Sequence, residues 1–150
     1  MNGVMIHRLR ILLLEPNRYL ALLMEREIAR EWRSAVIARY EDEQEAVEEL
    51  SRTRYDIAVM DVESSIASRP GLLYEIRESS PGVVLIAVIP QALLDNDTEK
   101  ALALADRIVP KDDRTTGRLP GIIEELADLW QHMERRDDGE SVADGEAVLE

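Results

Sequence analysis

The sequence predicts an α/β domain in which five parallel strands form one doubly wound sheet with helices on both faces. Two observations carry that prediction. Short, dense apolar runs without polar alternation recur along the chain, as strands buried on both faces of a parallel sheet should look. Between them lie segments whose apolar residues recur at three- and four-residue steps, the period of a helix with one buried face. Strand and helix alternate five times. Right-handed crossovers between parallel strands then point to the strand order 2-1-3-4-5.

The apolar runs are Arg10–Leu14, Ala35–Ala38, Asp56–Met60, Val83–Ile89 and Arg107–Val109. After the first comes a stripe of Leu20, Leu23, Met24 and Ile28. The second helix carries Ala46, Val47 and Leu50 and opens in the acidic cluster Glu41–Glu45, which suits the positive end of a helix dipole. A third, with Leu72, Leu73 and Ile76, follows Pro70-Gly71. Leu94, Thr98, Ala101 and Ala105 predict a fourth, capped by Asp95 or Asp97. The fifth has the cleanest stripe, Leu119, Ile122, Ile123, Leu126, Trp130 and Met133, with Pro120 placed in its first turn. Trp32, at the end of the first helix, and Trp130 are expected to serve packing.

Composition narrows the function. A chain of 150 residues has room for one core, here assigned to residues 8–133 behind a short arm, 1–7. Residues 134–150 hold seven acids and two arginines with no apolar stripe, and are expected to be a disordered acidic tail. The net charge of −13 disfavours nucleic acid and anionic membrane surfaces. The absence of cysteine removes thiolate chemistry, and two histidines, His7 and His132, are too few for a histidine-built metal cluster. No apolar run is long enough to span a bilayer, and the first residues lack a signal-peptide pattern. A cytoplasmic, non-enzymatic protein is expected.

In a doubly wound sheet the functional crevice lies at the carboxyl ends of the strands. That rule selects Glu15-Pro16-Asn17, Asp61, Ile89-Pro90 and Lys111. Two carboxylates and one ammonium would then meet in one pocket. Such a group could hold a magnesium ion through oxygens, and an aspartate beside a cation can accept a phosphoryl group. The lysine would pair with the added charge.

Three stretches now acquire a family likeness: Ile11-Leu-Leu-Leu-Glu-Pro-Asn17, Tyr55-Asp-Ile-Ala-Val-Met-Asp61 and Ala105-Asp-Arg-Ile-Val-Pro-Lys-Asp112. In this order and spacing the chain, from Arg8 to Met133, resembles the receiver domain of two-component response regulators, a flavodoxin-like (βα)5 fold. The resemblance implies that Asp61 stands at the phosphoacceptor position, Lys111 at the phosphate-pairing lysine and Glu15 at the first of an acidic pair. It also implies a magnesium site on Glu15 and Asp61, weak or absent because the pair's second member is Pro16. The family's strand-4 hydroxyl falls on Ile89, or on Ala87 if that strand is read two residues shorter. The aromatic switch residue falls on Ile108.

The resemblance therefore implies an atypical, pseudo-receiver module in phosphorelay signalling that works by contact with other signalling proteins. A histidine kinase is one implied partner. A second copy of the chain is another, bound through helix 4, strand 5 and helix 5, where Arg107, Arg114 and Arg118 lie near Ile108 and Leu119. The alternative within signalling is a single-domain regulator phosphorylated on Asp61. From another class comes a flavodoxin-like, cofactor-binding protein, which Glu15-Pro16 disfavours: an FMN phosphate needs bare amides and hydroxyls after strand 1.

Overall fold

A computed structural model describes residues 8–65, 69 and 71–131. The arm at 1–7, the tail at 134–150, both histidines, Pro70 and Met133 lie outside the described residues. The strands are β1 (Arg10–Leu14), β2 (Val36–Tyr40), β3 (Ile57–Asp61), β4 (Val84–Ile89) and β5 (Arg107–Pro110). The helices are α1 (Arg18–Glu31), α2 (Glu43–Arg52), α3 (Leu72–Ser79), α4 (Asn96–Ala101) and α5 (Thr115–Glu125). The strands form one all-parallel sheet in the order β2-β1-β3-β4-β5. None of the described helices is long and apolar enough to cross a membrane.

Because successive strand side chains point to opposite faces, each central strand feeds two apolar layers. Ile11, Leu13, Ile57, Val59, Ile86 and Val88 pack under α1 and α5. Leu12, Leu14, Ala58, Met60, Leu85, Ala87 and Ile89 pack under α2 and α3, with Leu102 closing the end of α4. That two-sided burial is why these strands read as unbroken apolar runs.

Three caps set the helix entries at the crevice end. Asn17 Oδ1 accepts from Leu20 N at 3.0 Å, Asp42 Oδ2 from Glu45 N at 2.9 Å and Asp95 Oδ1 from Thr98 N at 2.8 Å. Asp95, not Asp97, is thus the cap of α4. That helix is shorter than its stripe: Ala105 lies past its end, and Leu102 supplies the buried anchor instead.

The fifth helix starts earlier than the sequence suggests. Pro120 lies inside α5, not in its first turn. The entry is fixed by Thr115, whose hydroxyl donates to the Pro110 carbonyl (2.7 Å) and accepts from Asp112 N (2.8 Å). The Pro120 carbonyl accepts from Trp32 Nε1 at 3.3 Å. Trp32 and Trp130 meet edge to face with centroids 5.7 Å apart, joining the end of α1 to the segment that follows α5 as packing residues.

Candidate functional site

The three predicted site residues meet. Glu15 follows β1, Asp61 ends β3 and Lys111 follows β5, so all three stand at the carboxyl edge of the sheet. Backbone bonds continue the ladders past the strand ends and fix these positions: Glu15 N donates to Tyr40 O at 3.0 Å, Val62 N to Val88 O at 3.1 Å and Lys111 N to Ile89 O at 2.8 Å. The Lys111 ammonium donates to Asp61 Oδ2 and lies 3.1 Å from Glu15 Oε1 and 3.4 Å from Glu15 Oε2.

Both carboxylates are buried and half-satisfied by the backbone that follows them. Asn17 N donates to Glu15 Oε2 at 2.9 Å, and Glu63 N donates to Asp61 Oδ1 at 2.9 Å. Glu15 is 1% exposed, and its Oε1 accepts no well-aligned hydrogen bond although the ammonium is close. Burial pushes the Glu15 carboxyl above its ordinary range, and repulsion from Asp61 adds to this; the Asn17 amide and Lys111 pull the other way without cancelling it. Burial pulls the Lys111 ammonium down, but its hydrogen bonds and charge pairing with Asp61 and Glu15 outweigh that, and its pKa ends raised.

Glu15→Gln tests this balance. The amide oxygen can still accept from Asn17 N, while the repulsion from Asp61 disappears. Because the native carboxyl titrates above its unfolded value of 4.5, its contribution to stability is fully present below that pH and is lost as pH rises through the folded value. The stability of the native chain minus that of Glu15→Gln should therefore fall as pH rises from the unfolded value. Urea denaturation of both proteins across this range measures it; a difference that grows with pH contradicts the reading.

The site opens into a hollow of about 480 Å³ whose walls include Pro16, Asn17, Glu63, Ser64 and Leu93 with the three charged residues. Glu63, Ser64 and Leu93 were not assigned to the site from the sequence. Glu63 and Ser64 carry no local signal beyond following Asp61, and Leu93 reaches the site from the 3₁₀ turn Gln91–Leu93. Ile89 and Ala87 lie in the buried apolar layer beneath, and Ile108 is half-buried against that same layer. No hydroxyl and no aromatic ring therefore stands at these positions. Arg107 pairs with Glu125 at 2.8 Å, and Arg114 and Arg118 are exposed, but Leu119 is fully buried. The mixed basic and apolar face expected there loses Leu119 because the α5 stripe turns it into the core.

A magnesium ion fits these residues poorly. It needs near-octahedral oxygen donors at short range. Here Pro16 offers no side-chain donor, and the Glu15 and Asp61 carboxylates are already spanned by Lys111. Among the described residues no three histidine, cysteine or carboxylate side chains cluster closely enough to hold a metal. A cation would have to displace the ammonium first.

Neither a family model nor a curated protein matches the sequence. Solved structures do match the fold. A CheY-like response regulator receiver domain protein from Methanospirillum hungatei is 16% identical with a TM-score of 0.69, over 84% of this chain and 99% of that one. The response regulator domain of CheB from Thermotoga maritima is 18% identical with a TM-score of 0.66, over 83% and 98%. Response regulator TrrA of the same organism, solved in complex with Mg2+ and BeF, is 22% identical with a TM-score of 0.64, over 79% and 98%. At such identities the likeness is one of fold. The protein has the CheY-like receiver architecture, and its carboxylate–lysine–carboxylate group occupies the crevice end of that sheet.

Proposed function

We propose that this chain is an atypical receiver module of phosphorelay signalling that acts by protein contact in the cytoplasm, has no catalytic turnover of its own, and is impaired in magnesium-dependent phosphorylation of Asp61. One observation carries the reading: the Lys111 ammonium bridges Asp61 and Glu15 while Pro16 stands where a second acid would be needed. The lysine supplies internally part of the positive charge that a metal would otherwise bring, so the two carboxylates are bridged without one. Other signalling proteins, including a histidine kinase, are the proposed partners. The surface of α4, β5 and α5 is the proposed contact between two copies, presented through Arg107, Arg114 and the half-buried Ile108. A flavin is disfavoured by the carboxylates of Glu15, Asp61 and Glu63 around the hollow.

The second reading is a single-domain regulator that accepts phosphate on Asp61, and one observation favours it. The buried carboxylate of Asp61 borders an open hollow beside an ammonium able to pair with the added charge. Acetyl phosphate separates the two. In the transfer, an Asp61 carboxylate oxygen bonds to phosphorus as the acyl phosphate bond breaks and acetate leaves. Intact-mass spectrometry after incubation with acetyl phosphate and magnesium should show little modification, with no dependence on magnesium. Rapid, magnesium-dependent modification abolished by Asp61→Asn would replace the first reading by the second.

A further inference from the structure

At the opposite edge of the sheet, where the strands begin, two depressions share one wall. The first, of about 400 Å³, is lined by Arg10, Arg52, Thr53, Arg54 and Asp56. The second, of about 330 Å³, runs from the same Arg52–Arg54 stretch past Tyr55 to the turn between α3 and β4, where Ser79 and Ser80 lie. Three arginines line this one depression in a chain with 18 basic and 31 acidic residues. They come from three places: Arg10 opens β1, Arg52 ends α2 and Arg54 lies between α2 and β3.

The carboxylates beside them are held by other groups as well. Asp56, buried at the start of β3, accepts from Arg10 N at 2.9 Å and lies 3.9 Å from Arg54 Nη2. Glu49 accepts from the Tyr55 hydroxyl at 2.8 Å and from Arg52 Nη2 at 3.2 Å. Burial, with the Glu49 hydrogen bond, pushes the Tyr55 phenol up to about 12, so it remains a donor over the whole physiological range. The Arg10 guanidinium sits over the Tyr55 ring, 5.6 Å from its centre. The three arginine side chains carry five N–H donors each, more than these carboxylates can take up.

We propose that this edge binds a phosphate group, held by Arg10, Arg52 and Arg54, with the uncharged body of a phosphate ester, where one is present, lying beside Tyr55 in the second depression. The forked donors of arginine match pairs of phosphate oxygens, and three forks from different directions suit a tetrahedral anion better than a planar carboxylate. Thr53 lies on the shared wall and Ser51, Ser79 and Ser80 line the second depression, which suits a hydroxyl-bearing body. The site lies across the sheet from Asp61, so its occupancy is independent of how Asp61 behaves.

Calorimetric titration of the full chain with inorganic phosphate, adenosine monophosphate and adenosine, at ionic strength fixed with chloride, tests this. Both phosphate compounds are expected to bind saturably, at Kd values of about 1 mM or below, and adenosine is expected not to bind. Tighter binding of the monophosphate would mark the ligand as an ester, and equal binding would mark it as free phosphate. Arg52→Gln with Arg54→Gln should weaken phosphate binding at least about tenfold. Arg52→Gln alone removes a mostly exposed side chain, keeps the fold, and should still weaken it about threefold. Arg26→Gln, on the exposed face of α1, should leave binding unchanged. The proposal is overturned by absence of saturable phosphate binding, by binding indifferent to Arg52→Gln, or by an equal loss in Arg26→Gln.

Discussion

Lys111→Ala is expected to lower the stability of the fold by about 3 kcal/mol at neutral pH, the lower end of the range for breaking a buried ion pair. The lower end applies because the lysine is 21% exposed, although its partners are almost wholly buried. Truncation leaves two carboxylates in one small volume, without the cation that offset them and still accepting from the Asn17 and Glu63 amides. In a domain of this size the loss corresponds to a fall in Tm of roughly 6–12 °C. The deficit should shrink on acidification. Without the ammonium, the folded-state pKa of the Glu15 carboxyl rises further above its unfolded value, so the penalty is absent below that value and grows as pH rises through the folded one. Adding Glu15→Gln or Asp61→Asn to Lys111→Ala should restore more than half of the loss. Urea denaturation of the single and double variants measures each step. If Lys111→Ala proves neutral at pH 7, the ammonium is not what compensates the buried acids, and the reading of the site fails with it.

That the three charges would meet was legible in the sequence because each follows an apolar run, and parallel strands place their ends along one edge. The central strands were equally plain: Ile57–Met60 and Val84–Ile89 are buried on both faces, and such burial leaves no polar alternation to misread. Burial of Glu15 and its unequal hold on the ammonium were not legible, since they depend on how the backbone of Asn17 and Tyr40 folds around it. Helix ends misled for identifiable reasons. Thr115, Thr116, Gly117 and Pro120 are poor helix formers, yet the Thr115 bonds to Pro110 and Asp112 start α5 ahead of its apolar stripe. In α4, tertiary burial of Leu102 outweighed the regular spacing that had pointed to Ala105. The arginine-lined edge was invisible for a different reason. Arg10 is distant in sequence from Arg52 and Arg54, and only the pairing of β1 with β3 brings them together.

Pro16→Asp should convert the site to one that binds magnesium and should raise the rate of Asp61 phosphorylation by acetyl phosphate at least about tenfold, equivalent to about 1.4 kcal/mol of transition-state stabilisation. The substitution places a third carboxylate in the wall of the hollow, beside Glu15 and Asp61. Three acids against one ammonium, in place of two, raise the negative excess that favours a hard divalent cation, and the added carboxylate is not one that Lys111 already bridges. A second substitution shows the order of these effects. Ile89→Thr alone introduces a hydroxyl into a fully buried apolar layer, at a cost of roughly 1–3 kcal/mol, and should leave the rate unchanged because no cation has yet oriented the phosphate. Combined with Pro16→Asp, the hydrogen bond to the incoming phosphoryl oxygen that the receiver resemblance implies for this position would contribute about 1.5–3 kcal/mol, so the pair should be more than additive in rate. Phosphate incorporation is followed by mass with and without magnesium, and Asp61→Asn in the same background defines zero. Should the native chain already match the Pro16→Asp rate, the proline is no obstacle, and the lysine bridge must yield to a cation that the native residues hold unaided.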